Sequence, residues 1–178
     1  TNKYPSITFT ILSGNADDIK WKIDNGLVDV GFLLEPTSTE KYNVEKIGFP
    51  ERWMMLTQSD SELAELDEVS PEIFKKQRIL ISERPEVRQF IADWADCQVS
   101  DLEIIGGFNL GFHLFEIARA GIGEAVVTEG ALIRDYPDLK AIPLSPEVKT
   151  LSVLAWKKNI PLTPLTRAFI KQYLQDNE

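Results

Sequence analysis

Tyr4-Pro5-Ser6-Ile7-Thr8-Phe9-Thr10-Ile11-Leu12-Ser13-Gly14-Asn15 and, one helix further on, Gly26-Leu27-Val28-Asp29-Val30-Gly31-Phe32 decide the fold class. Ile7, Phe9 and Ile11 alternate with Thr8, Thr10 and Leu12, a period of two in β-branched and aromatic residues that predicts a strand. Ser13-Gly14-Asn15 supplies turn and cap chemistry, and Ala16-Asp17-Asp18 opens a helix with carboxylates where the macrodipole favours them. Asn25-Gly26 closes that helix with the residue that most easily takes the left-handed conformation. The apolar run after it has the composition of a buried parallel strand. The resulting βαβ unit sets helix-start amides at the carboxyl edge of a sheet, where α/β folds bind ligands.

Outward from this unit the pattern of short strands and helices continues. Val44–Ile47 and Trp53–Leu56 read as two short strands, and Ser70-Pro71-Glu72 as the start of a brief helix. Arg78–Ser82 reads as a strand, and Glu83-Arg84-Pro85 launches a helix to about Ala95 with Val87, Ile91 and Trp94 on one face. Leu102–Ile105 is a strand expected to end at Gly106-Gly107. A helix is expected over Leu110–Ala120, a strand over Glu124–Val127 and a helical segment over Glu129–Asp135. Leu139–Leu144 and Leu151–Trp156 are strands, and Thr163-Pro164 starts a final helix ending near Gln175. This alternation predicts an α/β fold of two Rossmann-like lobes, with mainly parallel sheets, two crossover segments and a ligand cleft between the lobes. The first lobe is expected from 1–35 and 144–178, the second from 36–143 including the crossover loop; a discontinuous domain of this kind carries its cleft and hinge between lobes.

The chain has 178 residues, 43% of them hydrophobic, enough for a real core. Its net charge of −9 argues against a grip on nucleic acid by this polypeptide itself, because phosphate contacts need clustered Lys and Arg. The acidic run Asp60–Glu68 reads as a solvated face. A single cysteine, Cys97, forbids an intrachain disulfide and fits a reducing cytoplasm. No apolar run reaches membrane-spanning length.

Catalytic signatures are sparse. His113 is the only histidine, which excludes a His-rich metal centre, and it reads as a packed or capping residue. No nucleophile elbow is present, and Gly106 with Gly111 has phosphate-loop spacing but is followed by Phe112-His113 where Lys-Ser/Thr is required. No metal or cofactor is expected. What remains suits non-covalent binding: Ser13-Gly14-Asn15, Ser82-Glu83-Arg84-Pro85 and Phe108-Asn109 each lie between a strand end and a helix start. Three converging helix N-termini would hold a polar or anionic small molecule, whereas each taken singly is a cap. Arg84 can pair with a ligand carboxylate or with Glu83 or Glu86. The four tryptophans read as core or interface residues before ligand stackers.

The chain resembles the effector-binding domain of LysR-type transcriptional regulators, which has the type 2 periplasmic-binding-protein fold. The resemblance is carried by Tyr4-Pro5, Ser13-Gly14-Asn15, Asn25–Phe32, Ile79–Ser82, Phe108-Asn109, Ile117-Ala118-Arg119-Ala120-Gly121-Ile122-Gly123 and Leu151–Trp156, in the right order over nearly the whole chain. It implies a domain that is no enzyme but senses a small-molecule effector and oligomerises; a solute-binding protein of a transporter is the alternative on the same fold, and an enzyme on it would need a catalytic cluster not found here. By carry-over, Ser13, Gly14, Asn15, Leu33 and Leu34 contact the effector from the first lobe, and Ser82, Arg84, Phe108, Asn109 and Thr128 from the second. The resemblance also implies an antiparallel homodimer, with a tetramer open to the full-length protein, in which Ile7, Phe9, Ile11 and Trp21 face the partner's Val87 and Trp94 region. DNA would be met only by a helix-turn-helix domain that the sequence does not contain, and a strand and helix usual before the Tyr-Pro position are missing too.

Overall fold

The computed structural model describes residues 6–110, 114–132 and 136–175. Its elements in chain order are α1 (Ala16–Asp24), β1 (Gly31–Leu34), β2 (Tyr42–Gln58), α2 (Pro71–Phe74), β3 (Arg78–Ser82), α3 (Pro85–Trp94), β4 (Glu103–Phe108), α4 (Leu114–Arg119), β5 (Glu124–Thr128), β6 (Leu139–Pro143), β7 (Lys149–Lys157) and α5 (Pro164–Gln175). Short 3-10 turns at Glu62–Glu65, Val99–Asp101 and Glu129–Ala131 link them. The strands form one open mixed sheet ordered β1-β7-β2-β5-β3-β4, with β6 also paired to β2.

The sheet has two halves because β2 is long and bent. Its start, Tyr42–Ile47, pairs antiparallel with β7, which also pairs with β1. Its end, from Trp53, pairs antiparallel with β5 and β6, while β3 pairs parallel with both β4 and β5. Between them the register against β7 shifts at Ile47/Glu51, and Gly48 there has φ of 69°. A bulge of this sort bends a strand and raises its twist without ending it. Gly48-Phe49-Pro50 therefore joins the two short strands expected from sequence into a single element that passes from one half to the other.

Each half is a sheet layer with helices on both faces, and the alternation along the strands assigns the faces. In the first half Val153 and Ala155 of β7 pack with Leu33 against Ile19 and Ile23 of α1, whereas Leu154 and Trp156 face Ile170 of α5. In the second, Trp53, Met55, Ile79, Ile81 and Val126 bury against Phe74, Val87 and Ile91; Met54, Leu56, Leu80, Ala125 and Val127 bury against Leu114, Phe115 and Ala118. Strands covered on both sides read as unbroken apolar runs, which is the reason Trp53–Leu56 and Ile79–Ile81 lack polar positions.

Four expectations are corrected. The sheet is not mainly parallel: β1 lies antiparallel to β7 rather than parallel within a βαβ unit, and among the described strands only β3 pairs in parallel, with β4 and β5. Ile7–Leu12 forms no strand: it is irregular, with Phe9 71% and Ile11 79% exposed, and no described strand pairs with it. β-propensity without a ladder partner leaves the backbone to water. β4 does not stop at the glycines but runs through them to Phe108, because Gly106 and Gly107 fit where a Cβ would meet Leu80 Cδ2 and Arg88 Nη2, each at 2.8 Å. After β5 the described helical turn covers only Glu129–Ala131. Tyr4-Pro5, Gly111, Phe112, His113 and the end of the Glu129–Asp135 segment lie outside the described residues.

Candidate functional site

The candidate residues fall into three groups. In the first, Asn15 is the N-cap of α1: its Oδ1 accepts from Asp18 N at 2.9 Å, and Asp18 Oδ2 accepts from Asn15 N at 3.3 Å. This reciprocal capping box spends the polar end of Asn15 on its own helix. Gly14 is required there, since a Cβ would stand 2.9 Å from Asp18 Cβ, and Ser13 is exposed. Leu33 is 1% exposed and packs on α1, so its side chain is core, which corrects its assignment as a side-chain contact.

The second group is assembled around the N-terminus of α3. Ser82, at the end of β3, pairs in register with Phe108 at the end of β4, and Glu83 N donates to Phe108 O at 3.0 Å. Arg84 occupies the N-cap position of α3 without capping it by side chain. Arg84 is 6% exposed, and its guanidinium reaches across to the first half. Nη1 donates to Leu34 O at 3.4 Å and Nη2 to Pro36 O at 2.5 Å, which are backbone carbonyls of the segment leaving β1. Arg84 thus pairs with neither Glu83 nor Glu86; no ion pair of Arg84 occurs among the described residues. The same segment is tied to β7, as Glu35 N donates to Leu151 O at 2.9 Å and Thr150 Oγ1 donates to Glu35 O at 2.5 Å.

The third group lies where β5 meets the bend of β2. Thr128 is buried opposite Trp53. Just beyond it, Arg52 Nε and Nη2 hold both oxygens of Glu129 at 3.1 and 2.8 Å, and Gly130 N donates to Glu51 Oε2 at 3.1 Å. The fork keeps the Glu129 carboxyl below its ordinary range. Asn109 is exposed and Phe108 half-buried on the α4 side of the core.

Leu34, Ser82, Arg84 and Phe108 are therefore brought to one place by hydrogen bonds and register. Ser13, Gly14 and Asn15 are linked by described hydrogen bonds only to α1 itself. Sequence reasoning missed Thr37, Pro36 and Arg88, whose Nε donates to Ser82 O at 3.0 Å. The i, i+4 spacing of Arg84 and Arg88 in an otherwise acidic chain was the one signal available for the latter. Among the interface candidates, Trp21 is 59% exposed on α1 and Ile7 half-buried. Val87 is 3% exposed in the core, and Trp94 donates its Nε1 to Pro146 O at 2.8 Å while stacking edge-on against Phe74. Val87 is thus core, because the apolar stripe of α3 faces β3 and β5 rather than solvent.

Two sheet halves joined through the long β2, each with helices on both faces, make an α/β domain of the type 2 periplasmic-binding-protein kind. The chain belongs to the LysR substrate-binding domain family, whose model matches residues 1–177. No curated protein matches it significantly. Among solved structures it is similar to the effector-binding domain of QuiR in complex with shikimate, with a TM-score of 0.85 and 15% identity over 98% of this chain and 84% of that one. The regulatory domain of Synechocystis PCC6803 CcmR in complex with 2-PG gives 0.82 and 14% over 99% and 86%. HinK, a LysR family regulator from Pseudomonas aeruginosa, gives 0.77 and 18% over 98% of this chain and 62% of that protein. The chain is an effector-sensing regulatory domain of this family, and nothing in its neighbours points to a transporter. Among the described residues no helix is long and apolar enough to cross a membrane, and no His, Cys, Asp and Glu cluster could hold a metal ion.

Proposed function

We propose that this domain binds a small molecule between the two halves of its sheet and converts binding into a change of their relative closure. The observation that carries the reading is the sharing of β2 by both halves, with the β2 bulge at Gly48–Pro50 as the pivot. Ser13, Gly14, Asn15 and the backbone at Leu34 form the wall on the α1 side. Ser82, Arg84, Phe108, Asn109 and Thr128 form the other. Segments 1–35 and 144–178 act as one lobe and 36–143 as the other, with Tyr42–Ile47 pairing into the first. An effector acts only through its differential affinity for open and closed states.

As part of a longer cytoplasmic regulator, the domain forms an antiparallel homodimer through Ile7, Phe9, Ile11 and Trp21, and DNA is contacted by another domain. Exposed aromatics on α1 and the preceding segment support that placement. Screening carboxylates, amino acids and aromatic acids by thermal shift tests the sensor reading. A ligand at a hundredfold its Kd stabilises by about 2.7 kcal/mol, and a screen in which no small molecule raises Tm refutes it. A sedimentation experiment in which Trp21→Glu leaves the oligomer intact removes Trp21 from the interface.

A further inference from the structure

The second half carries a groove at the edge opposite to Ser82 and Thr128. β2 ends on that edge at Gln58 and β3 begins on it at Arg78; between them the chain forms the turn Glu62–Glu65 and then α2. Ser61, Glu62, Leu63 and Leu66 from the first of these segments, with Ile73 and Gln77 from the second, bound a cavity of about 400 Å³. The five residues of β3 set this groove about 15 Å along the strand from Ser82, so it is separate from the effector cleft. Its walls are fixed by the fold. Ser61 Oγ accepts from Ala64 N at 3.3 Å and lies 2.8 Å from Thr57 Oγ1. Lys140 Nζ, from β6, donates to Ala64 O and, at 3.2 Å, to Leu66 O. Gln77 Nε2 donates to Ile73 O at 2.9 Å. A groove with walls held in this way loses little freedom when it is filled.

The lining and the rim together define the occupant. Leu63, Leu66 and Ile73 are half-buried and keep apolar surface open to the groove. None of the lining side chains holds a buried polar atom without a partner, so nothing there calls for a small polar ligand. Beside this floor Asp60, Glu62, Glu65, Asp67 and Glu68 are all exposed, in a run that contains no Lys or Arg. No ion pair among the described residues includes any of them. The Lys140 ammonium is occupied by the two carbonyls, and Lys75 and Lys76 act on Glu72 at the α2 side. An apolar centre with a charged rim is the layout of a protein-docking surface, and the rim sets the sign of the partner. A second copy of this chain is disfavoured, since each carries a net charge of −9. We propose that the groove docks a basic segment of another protein, its apolar side chains seated on Leu63, Leu66 and Ile73 and its Lys or Arg meeting the carboxylates of 60–68. Because the groove and the effector cleft lie at opposite edges of the sheet, both can be filled at once.

The test selects peptides from a random phage-displayed library on the immobilised wild-type domain and measures the winners in solution by fluorescence anisotropy and amide NMR. Peptides rich in Lys or Arg with apolar residues between them are expected, and their shifts should centre on the amides of 61–66 and 73–77. Glu62→Lys combined with Glu65→Lys, both exposed positions, should weaken the best peptide by about tenfold, and added salt should weaken it too. Replacing the apolar residues of the peptide by Ser should cost about tenfold without touching the fold of the domain. A selection that returns no binder, or only acidic or uncharged ones, overturns the proposal. So does equal binding by the wild type and the double variant, or a set of shifts centred on Ser82 and Arg84. Binding that survives loss of the apolar residues overturns the groove as the docking site, because the acidic run alone would then account for it. Self-association in sedimentation that the double variant abolishes would make a second copy the occupant and overturn the choice of a basic partner.

Discussion

Replacing Arg84 by Met keeps the length of the side chain and removes its donors. Two carbonyls, Leu34 O and Pro36 O, then lose their partner in a site where Arg84 itself is 6% exposed. Hydrogen bonds from a charged donor are worth about 1.5–3 kcal/mol each, and the longer bond to Leu34 counts at the low end. Against their loss stands the relief of removing a buried guanidinium that has no counter-ion, which recovers part of the desolvation cost. The balance is a destabilisation of about 2–3 kcal/mol, or a fall in Tm of about 5–10 °C for a chain of this size. Urea unfolding checks it, with the m-value expected to stay constant because the folded core is unchanged. Hydrogen exchange should show faster opening of Glu35 N, whose bond to Leu151 O lies in the segment that Arg84 holds. A loss below about 0.5 kcal/mol, the range of an ordinary surface change, would refute the claim that Arg84 clasps the two halves.

Asn15→Ala should cost about 1 kcal/mol through loss of the capping box, with Asn15→Asp restoring most of it; equal losses in both variants by thermal unfolding would mean the cap is not what Asn15 contributes. Gly31→Ala places a methyl 2.5 Å from Ile19 Cγ2 and 3.0 Å from Ile23 Cδ1, so α1 must shift off β1 at a cost of about 1–3 kcal/mol in urea unfolding. Burial pushes the Glu124 carboxyl above its ordinary value, partly offset by the Thr57 hydroxyl. The folded state therefore holds that proton more tightly than the unfolded chain. Its contribution is full below the ordinary Glu range and is lost as pH rises through the raised value. Glu124→Gln should thus gain on the wild type as pH rises from the acid side to neutrality, and a pH-independent difference in stability would contradict this.

Much of the architecture was legible from residue pattern. Arg78–Ser82 reads as a strand because three apolar residues stand between a polar start and a turn, and β3 has those limits. Ser70-Pro71 announces a helix start, and Ser70 Oγ accepts from Ile73 N as the cap. Misreadings share one cause: a local signal was weighed without its spatial partner. Gly48-Phe49-Pro50 carries turn chemistry, yet β7 runs alongside and keeps the strand going. Gly106-Gly107 looks like a terminator, yet the close approach of Leu80 and Arg88 makes glycine the residue that lets β4 continue. Ile7–Leu12 has strand composition and no ladder to join.

The candidate site divides in the same way. Cap chemistry is local, three or four residues in reach, so the role of Asn15 could be written from Asn15-Ala16-Asp17-Asp18 alone. By itself the sequence determined the α/β class and the helix caps, which follow from short-range periodicity and capping, and it carried the family resemblance in the order of its motifs. Only the tertiary structure decided that Val87 and Leu33 are core, and that Arg84 turns from its neighbouring glutamates to carbonyls about fifty residues earlier in the chain (Arg84 to Leu34). Which donor meets which acceptor across such separations depends on how the halves of the sheet pack, and no local pattern of residues encodes that.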